Sequence, residues 1–268
     1  MTSPPYNLGQ PYRVYRDRRP RDDYLAWIGS LGRAVRHALS PDGSFFLNIG
    51  GPPSDPWLPF DVARAVADGW HLQNVIHWIK SIVLDRSVTG LDRDLAVGHY
   101  RPVGSRRYLH GTQEYVFHFT RTGTVPLDRL AIGAPYAHPS NRARWKRSAV
   151  DRRCRGNSWF LPYPTIQRRA TERPHPATFP ESLPEWCYRL HGLARLTTAA
   201  DPFVGLGASA VAAARLGLGF RGWDIDREYL TFAARRIERA RTTSGGRATA
   251  PVPREPGAAR RARAASRP

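Results

Sequence analysis

The chain has 268 residues, of which 41% are hydrophobic and eight are tryptophan, so it can bury the core of a compact domain and is not disordered throughout. Two cysteines exclude a disulfide scaffold, and nine scattered histidines show no metal-ligand spacing. No apolar run is long enough to span a bilayer and no signal peptide is visible, so we expect a soluble cytoplasmic protein without a membrane partner or a metal. The net charge of +19 favours an acidic partner, although a coding bias toward arginine would explain part of it.

Helices and strands are predicted to alternate in the first half of the chain. Helical spacing of apolar residues predicts helices over 22–39 and 60–67. Short apolar runs predict buried strands over 44–49, 72–79 and 114–120. This alternation predicts an α/β fold with a mostly parallel sheet.

The segment 121–173 interrupts the alternation, and we interpret it as an inserted, loop-rich module. Between residues 138 and 173, basic residues outnumber acidic ones by ten to two. Aromatic residues are interleaved with them, namely Trp145, Trp159, Phe160 and Tyr163. Arginine mixed with aromatic residues is typical of a surface that binds nucleic-acid phosphates, and a solvated charged face is the alternative.

The alternation resumes in the last third. Ser182 and Glu185 form a predicted capping box at the start of a helix. A strand over 197–203, a helix over 209–216 and a strand over 220–225 follow, and Asp226 is predicted to cap a final helix that ends near residue 241. Residues 242–268 contain almost nothing to bury, so we expect a disordered basic tail.

A glycine turn between the strand over 197–203 and the helix over 209–216 is the first chemical motif. It reads Asp201-Pro202-Phe203-Val204-Gly205-Leu206-Gly207. Such a turn lets a ligand approach the backbone at the carboxyl end of a sheet. Asp224 follows about 20 residues later, where an acid could bind a ribose diol. Many such turns serve packing alone, but the spacing between the glycine turn and Asp224 favours a nucleoside-type cofactor.

Two other motifs are weak when taken alone. Ser3-Pro4-Pro5-Tyr6 could be a disordered leader, and His175, in the stretch His175-Pro176-Ala177-Thr178-Phe179-Pro180, could be a structural histidine. Together with the glycine turn, their order resembles that of the permuted (β-class) DNA amino-methyltransferases, which use S-adenosylmethionine. In that family the catalytic tetrapeptide, the target-recognition region, the His-Pro segment and the cofactor turn follow one another as they do here. Gln113-Glu114 and the stretch 156–163 also look like family segments.

The resemblance implies a Rossmann-like methyltransferase fold with a circularly permuted motif order and an inserted target-recognition region. Residues 1–120 would form the catalytic half, 121–173 the DNA-binding insert and 174–241 the cofactor-binding half. Family members usually carry a further strand–helix–strand unit before the tetrapeptide, and we expect that unit to be encoded upstream of Met1.

The resemblance also implies the roles of individual residues. The catalytic residues would be Ser3, Pro4, Pro5 and Tyr6. The cofactor S-adenosylmethionine would be bound by Asp201, Phe203, Gly205, Gly207, Asp224, His175 and Phe179. Double-stranded DNA would be contacted by Arg142, Arg144, Arg152, Arg153 and Arg155.

The predicted activity is site-specific methylation of an exocyclic amine in duplex DNA, with a cognate restriction endonuclease as a possible partner. Serine at the first position of the tetrapeptide favours cytosine N4 over adenine N6, where family members more often carry aspartate. Two alternatives stay open at this point. The chain could be a catalytically impaired, N-terminally truncated remnant that only binds DNA, or it could methylate RNA.

Overall fold

The computed structural model describes residues 1–98, 104–136, 140, 151–162, 175 and 177–244. The helices are α1 (Arg21–Ala38), α2 (Leu58–Val66), α3 (Arg86–Thr89), α4 (Ser182–His191), α5 (Ala208–Arg215) and α6 (Arg227–Ser244). The strands are β1 (Phe45–Ile49), β2 (His71–Ile79), β3 (Ile82–Leu84), β4 (Leu95–Val97), β5 (Gln113–Thr120), β6 (Ser158–Phe160), β7 (Thr198–Asp201) and β8 (Gly219–Gly222).

The central sheet has the strand order β1-β5-β2-β6. Strand β5 runs antiparallel to both of its neighbours, whereas β6 is parallel to β2. Strands β1, β2 and β6 therefore share one direction, and β5 alone is reversed. The sheet is mixed by pairing and mostly parallel by strand direction.

The first two residues join this sheet to the parallel pair β7–β8. Thr2 pairs in parallel with Leu47 of β1, and its backbone N–H donates to the Phe46 carbonyl at 3.0 Å. On the other side, the Met1 amine donates to the Ala200 carbonyl of β7 at 3.2 Å. The strands thus run across the molecule in the order β8-β7-(1–2)-β1-β5-β2-β6.

Helices cover both faces of the central sheet. Successive side chains of a strand point to opposite faces, so the strands contribute residues to two hydrophobic cores. Phe45, Leu47 and Ile49 of β1 pack with α1 and α2 in one core. Phe46 belongs to the other core, which includes residues of α4 and α5. Since both faces are covered, β1 is buried along its whole length, and this explains why four of its five residues are apolar.

The α/β fold class is confirmed, with two local differences from the predicted elements. Glu181 is the residue before α4, so Ser182 lies inside the helix; no side chain caps it, and the predicted capping box is wrong. Asp226 does cap α6, since its carboxylate accepts the Glu228 N–H at 2.9 Å. Residues 242–244 continue α6 instead of starting a tail, and residues 245–268 lie outside the described ones.

The predicted insert contributes to the main core as well. Strand β6 lies within it and pairs Trp159 with Trp78 of β2. Trp159 is fully buried, and Ile132 and Leu161 are buried in the same core. The part of the segment that the structure describes is therefore not wholly separate from the α/β domain.

Candidate active site

A cleft of about 1550 Å³ opens at the edge where the two halves of the chain meet. The tetrapeptide Ser3–Tyr6 lines one side of the cleft, and the glycine turn with Asp224 lines another. His175 and Phe179 also line it. The structure thus brings together residues that are separated by some 200 positions in the sequence.

The tetrapeptide is held by a hydrogen-bond network that starts at Tyr6. The Tyr6 hydroxyl lies 2.9 Å from Ser3 Oγ and donates to Glu114 Oε2 at 2.9 Å. The Pro5 carbonyl accepts a hydrogen bond from the Tyr24 hydroxyl of α1 at 2.9 Å. Both ends of the loop are therefore fixed before any ligand arrives, which is the preorganisation that positional catalysis requires.

Asn48 and Lys80 complete this network. Asn48 is the fourth residue of β1. Its Nδ2 group donates toward Tyr6 Oη at 2.7 Å, Glu114 Oε2 at 2.8 Å and Ser3 Oγ at 3.3 Å. Lys80 Nζ donates to the other carboxylate oxygen of Glu114 at 2.9 Å. Glu114 is half-buried and touches the cleft, so an ion pair stands directly behind the tetrapeptide.

Asp224 organises the glycine turn from the opposite side. Its carboxylate accepts the Gly205 N–H at 2.9 Å and the Asp226 N–H at 2.9 Å. Gly205 has φ of +48°, a left-handed conformation that glycine adopts without strain. Phe203, at the start of the turn, packs edge-on against Trp27 of α1 at 5.6 Å between ring centroids.

Two of the residues predicted to bind the cofactor lie behind the cleft wall. Asp201 is fully buried and its carboxylate accepts hydrogen bonds from the Thr2 hydroxyl, Ser209 Oγ and the Phe203 N–H. Burial raises the pKa of this carboxyl group. Gly207 faces α6, where an added Cβ would stand 2.8 Å from the Ala233 Cβ. Asp201 therefore joins the two halves, and Gly207 permits close helix packing.

His175 sits between two tyrosines at the cleft. Its ring centroid lies 4.6 Å from that of Tyr229 and 5.3 Å from that of Tyr12. Nδ1 accepts the Ala177 N–H at 3.1 Å, which leaves Nε2 as the protonated nitrogen of the neutral ring. Burial lowers the pKa of His175. A Cβ on Gly205 would stand 3.4 Å from Nε2, so the histidine contacts the glycine turn directly.

Residues 7–19 form a loop over the cleft, which we call the strap. The buried Asp17 carboxylate accepts the backbone N–H groups of Asn7, Leu8 and Gln10 at 2.9–3.1 Å. Asn7 adopts a left-handed φ of 62°, a conformation that asparagine tolerates better than most residues. Arg13 on the strap pairs with Asp226 at 3.0 Å, so the strap connects the tetrapeptide to the C-terminal part of the described chain.

The arginines proposed for DNA contact differ in their surroundings. Arg142 and Arg144 lie outside the described residues. Arg152 donates to the carbonyls of Leu130 and Ala131, and Arg155 donates to the Ile132 carbonyl at 2.9 Å. Arg155 also stacks over Trp186, 4.6 Å from the ring centroid. Of the three described arginines, Arg153 is the exposed one.

Sequence reasoning missed the roles of four residues that shape this site: Asn48, Lys80, Glu114 and Asp17. Signals were present for three of them. Asn48 is the one polar residue of an apolar strand, Lys80 is one of only two lysines, and Asp17 interrupts a run of arginines. Glu114 was noted as part of a family-like segment, without a role.

The described part of the chain contains no group of three histidine, cysteine, aspartate or glutamate residues placed to hold a metal ion. None of its helices combines the length and apolarity needed to cross a bilayer.

The geometry agrees with comparisons to known proteins. The N6/N4 methyltransferase family model, described as DNA methylase, matches residues 1–235. Type II methyltransferase M.BglII of Bacillus subtilis is 25% identical over 247 residues, which cover 87% of this chain and 61% of that protein. M.SmaI of Serratia marcescens is 26% identical over 281 residues, covering 90% and 84%. The chain thus spans less than two thirds of the length of M.BglII.

Solved structures show the same fold. The PvuII DNA methyltransferase, described as cytosine-N4-specific, superimposes with a TM-score of 0.61 at 19% identity and covers 91% of this chain and 83% of its own. A putative DNA modification methylase of Thermus thermophilus, solved with S-adenosylmethionine, gives a TM-score of 0.50 at 18% identity and covers 90% and 84%. With the family match over residues 1–235, these findings show that the chain belongs to the N6/N4 DNA methylase family and has its Rossmann-like fold.

Proposed function

We propose that this chain methylates an exocyclic amine of a base at specific sites in duplex DNA, with S-adenosylmethionine as the methyl donor. One observation carries the proposal: Ser3–Tyr6 and the Gly205–Asp224 turn line a single cleft. Behind that cleft, Thr2 and Asp201 join the two motifs by a buried hydrogen bond. A donor bound by one motif would therefore face a base bound by the other.

The cleft fits S-adenosylmethionine in its polar groups. The Asp224 carboxylate at the rim can accept ribose hydroxyls, and it is held in place by the Gly205 N–H. Thr178 Oγ1 is buried at the cleft and has no hydrogen-bond partner among the residues that the structure describes, so it is a candidate partner for a ligand's polar group. The aromatic rings of Phe203 and Phe179 supply apolar surface for an adenine ring. The cofactor, when bound, supplies an electrophilic methyl group on a sulfonium.

The tetrapeptide would prepare the amine that receives the methyl group. An exocyclic amine is a poor nucleophile because its lone pair is conjugated with the ring. Ser3 Oγ and the Pro4 carbonyl can accept its two N–H groups, which turns the lone pair out of conjugation and toward the donor. The Tyr6 ring would stack on the base after it leaves the duplex.

Cytosine N4 is the proposed target, ahead of adenine N6. The support is the neutral serine at position 3, where family members that act on adenine more often carry aspartate. We further propose that the chain serves a type II restriction–modification system with a cognate endonuclease. This rests on its curated relatives M.BglII and M.SmaI, which are named type II methyltransferases.

For the DNA contact we propose Arg153 among the described residues, together with Arg142 and Arg144 outside them. Arg152 and Arg155 also belong to the proposed set, but their guanidinium groups already hold carbonyls of residues 130–132. A phosphate would have to share those donors with the protein's own backbone. Arg153 is thus the described arginine best placed to meet a phosphate.

Transfer of a radiolabelled methyl group tests the proposal. Incubation of the full chain with labelled S-adenosylmethionine should label duplex DNA and leave RNA unlabelled. Ser3→Ala should lower the rate about 100-fold, since it removes a preorganised acceptor. Ser30→Ala is the matched control, because Ser30 lies on the exposed side of α1 and its hydroxyl donates to the Ala26 carbonyl of the same helix.

Other outcomes would point to the alternatives. If RNA is labelled instead of DNA, then RNA is the substrate and the proposed DNA substrate is wrong. Binding of DNA and cofactor without any transfer would favour the catalytically impaired remnant.

A further inference from the structure

The hydrogen bonds around Ser3 have a direction that follows from Glu114. A carboxylate paired with an ammonium group accepts hydrogen bonds and donates none. Glu114 Oε1 accepts from Lys80 at 2.9 Å, and Oε2 lies 2.9 Å from the Tyr6 hydroxyl. The Tyr6 hydroxyl therefore donates its single proton to Glu114.

The next bond in the chain is fixed by this choice. Ser3 Oγ and Tyr6 Oη are 2.9 Å apart, and either atom could be the donor on distance alone. Because the Tyr6 proton is committed to Glu114, the Ser3 hydroxyl must donate to the Tyr6 oxygen. The Ser3 proton then points away from an incoming amine, and the lone pairs of Ser3 Oγ remain as acceptors.

Asn48 is consistent with the same direction. Its Nδ2 group, a donor, faces Ser3 Oγ, Tyr6 Oη and Glu114 Oε2, all of which serve as acceptors. Turning the amide over would place its oxygen against the carboxylate. Asn48 lies near the end of β1, and Glu114 lies near the start of the paired strand β5. Two hydrogen-bonded strands therefore hold the network in place.

We propose that Glu114, with Lys80 as its counter-ion, is a positioning residue that makes the Ser3 hydroxyl an obligate hydrogen-bond acceptor toward the target amine. The inference rests on the proposed methyltransferase function and deepens it. A neutral serine thereby presents only lone pairs to the amine, as an aspartate would. The negative charge of Glu114 does not contact the substrate, because the Tyr6 hydroxyl lies between Glu114 and Ser3.

The isosteric variant Glu114→Gln tests the direction. Lys80 cannot accept, so it should hold the amide oxygen and turn the amide N–H₂ toward Tyr6. Tyr6 would then accept from Gln and donate to Ser3, whose proton would face the amine. We expect kcat to fall about 10- to 100-fold, with KM for DNA and the cofactor affinity within twofold of wild type. Asp61→Asn, which alters an ion pair with Arg21 between α1 and α2, should leave kcat unchanged.

A double-mutant cycle separates positioning from simple structural support. Tyr6→Phe removes the hydroxyl that carries the effect of Glu114 to Ser3. Adding Glu114→Gln to Tyr6→Phe should therefore lower kcat by less than twofold further. Additive losses, or an unchanged kcat in Glu114→Gln alone, would overturn the proposal.

A second readout works without catalysis. The ¹³Cζ resonance of Tyr6, assigned by its loss in Tyr6→Phe, should move upfield in Glu114→Gln because the hydroxyl changes from donating to a carboxylate to accepting from an amide. No movement, or a downfield shift, would contradict the inferred direction. If the wild-type chain transferred no methyl group to DNA, the proposed function would fail while this resonance would still decide the hydrogen-bond direction.

Discussion

Two buried histidines, His118 of β5 and His191 of α4, share the Ser44 hydroxyl, and their protonation can be assigned. The Asn74 amide N–H₂ donates to His118 Nδ1 at 3.0 Å, so Nε2 carries the proton and donates to Ser44 Oγ at 2.9 Å. Ser44 can then donate to His191 Nδ1 at 2.9 Å. Burial, with a smaller contribution from His191, lowers the pKa of His118 to about 3. Both rings are neutral in this arrangement.

This arrangement makes the fold sensitive to acid. The unfolded chain binds a proton at His118 below its ordinary pKa of 6.5, whereas the folded chain does not until about pH 3. The stability that this neutral histidine contributes is therefore present well above pH 6.5 and is lost as the pH falls from 6.5 toward 3. The loss between pH 6.5 and 5 should be about 1.6 kcal/mol. Denaturant unfolding at several pH values should show a weaker dependence in His118→Gln.

The exposed His37 supplies the control for that measurement. His37→Gln should keep the full acid dependence of the wild type. If His118→Gln keeps it too, the neutral assignment of His118 is wrong.

At the scale of elements, the strap depends on one carboxylate. Asp17 satisfies three backbone N–H groups of residues 7–10, and the strap in turn lines the cleft. Asp17→Asn replaces one acceptor oxygen by a donor and leaves N–H groups without partners, at a cost of about 1–3 kcal/mol. We expect cofactor affinity, measured by calorimetry, to fall about tenfold while far-UV circular dichroism stays unchanged.

The strap prediction has a matched control in Asp23. This residue lies exposed in the first turn of α1, outside the strap. Asp23→Asn should leave cofactor affinity at the wild-type value. Equal losses in both variants would mean that the strap does not organise the cofactor side of the cleft.

The segment predicted as an insert should separate into structural and DNA-facing positions. Trp159 is fully buried and packs edge-on against Trp186 at 5.4 Å, so Trp159→Ala should lower the free energy of unfolding by about 3–5 kcal/mol. Exposed Arg153 should contribute less than about 0.5 kcal/mol to stability. Arg153→Ala should instead reduce the log–log salt dependence of DNA binding by about one. A salt slope unchanged in Arg153→Ala would move the phosphate contact elsewhere.

Elements with a hydrophobic pattern of several residues could be predicted from the sequence. Elements that form only by pairing with residues distant in the sequence could not. The run over 44–49 predicted β1 because a strand buried on both faces is mostly apolar. Three-residue β6 gave no periodic signal, and it pairs with β2 about 80 residues away. Motif order predicted which segments line the cleft. The network of Glu114 and Asn48 depends on side-chain distances across paired strands, which the sequence pattern does not contain.

At the level of the complete fold, a buried hydrogen bond between Thr2 and Asp201 contributes to the join between the two halves. Asp201 of β7 is fully buried, and the Thr2 hydroxyl is one of its three donors. Thr2→Val keeps the shape but removes that donor, so the free energy of unfolding should fall by about 1–3 kcal/mol. Thr2→Ser retains the hydroxyl and should recover most of that loss. Equal unfolding midpoints for the Val and Ser variants would show that the hydroxyl does not stabilise the join.

The proposed function places methylation of a base amine in DNA at the cleft between Ser3–Tyr6 and the Gly205–Asp224 turn. The most direct measurement is mass spectrometry of nucleosides from the DNA of a host that expresses the full chain, compared with a host that expresses Ser3→Ala. We predict N4-methylcytosine in the first sample and its near absence in the second. N6-methyladenine in its place would correct the target base, and DNA without any methylated amine would contradict the proposed function.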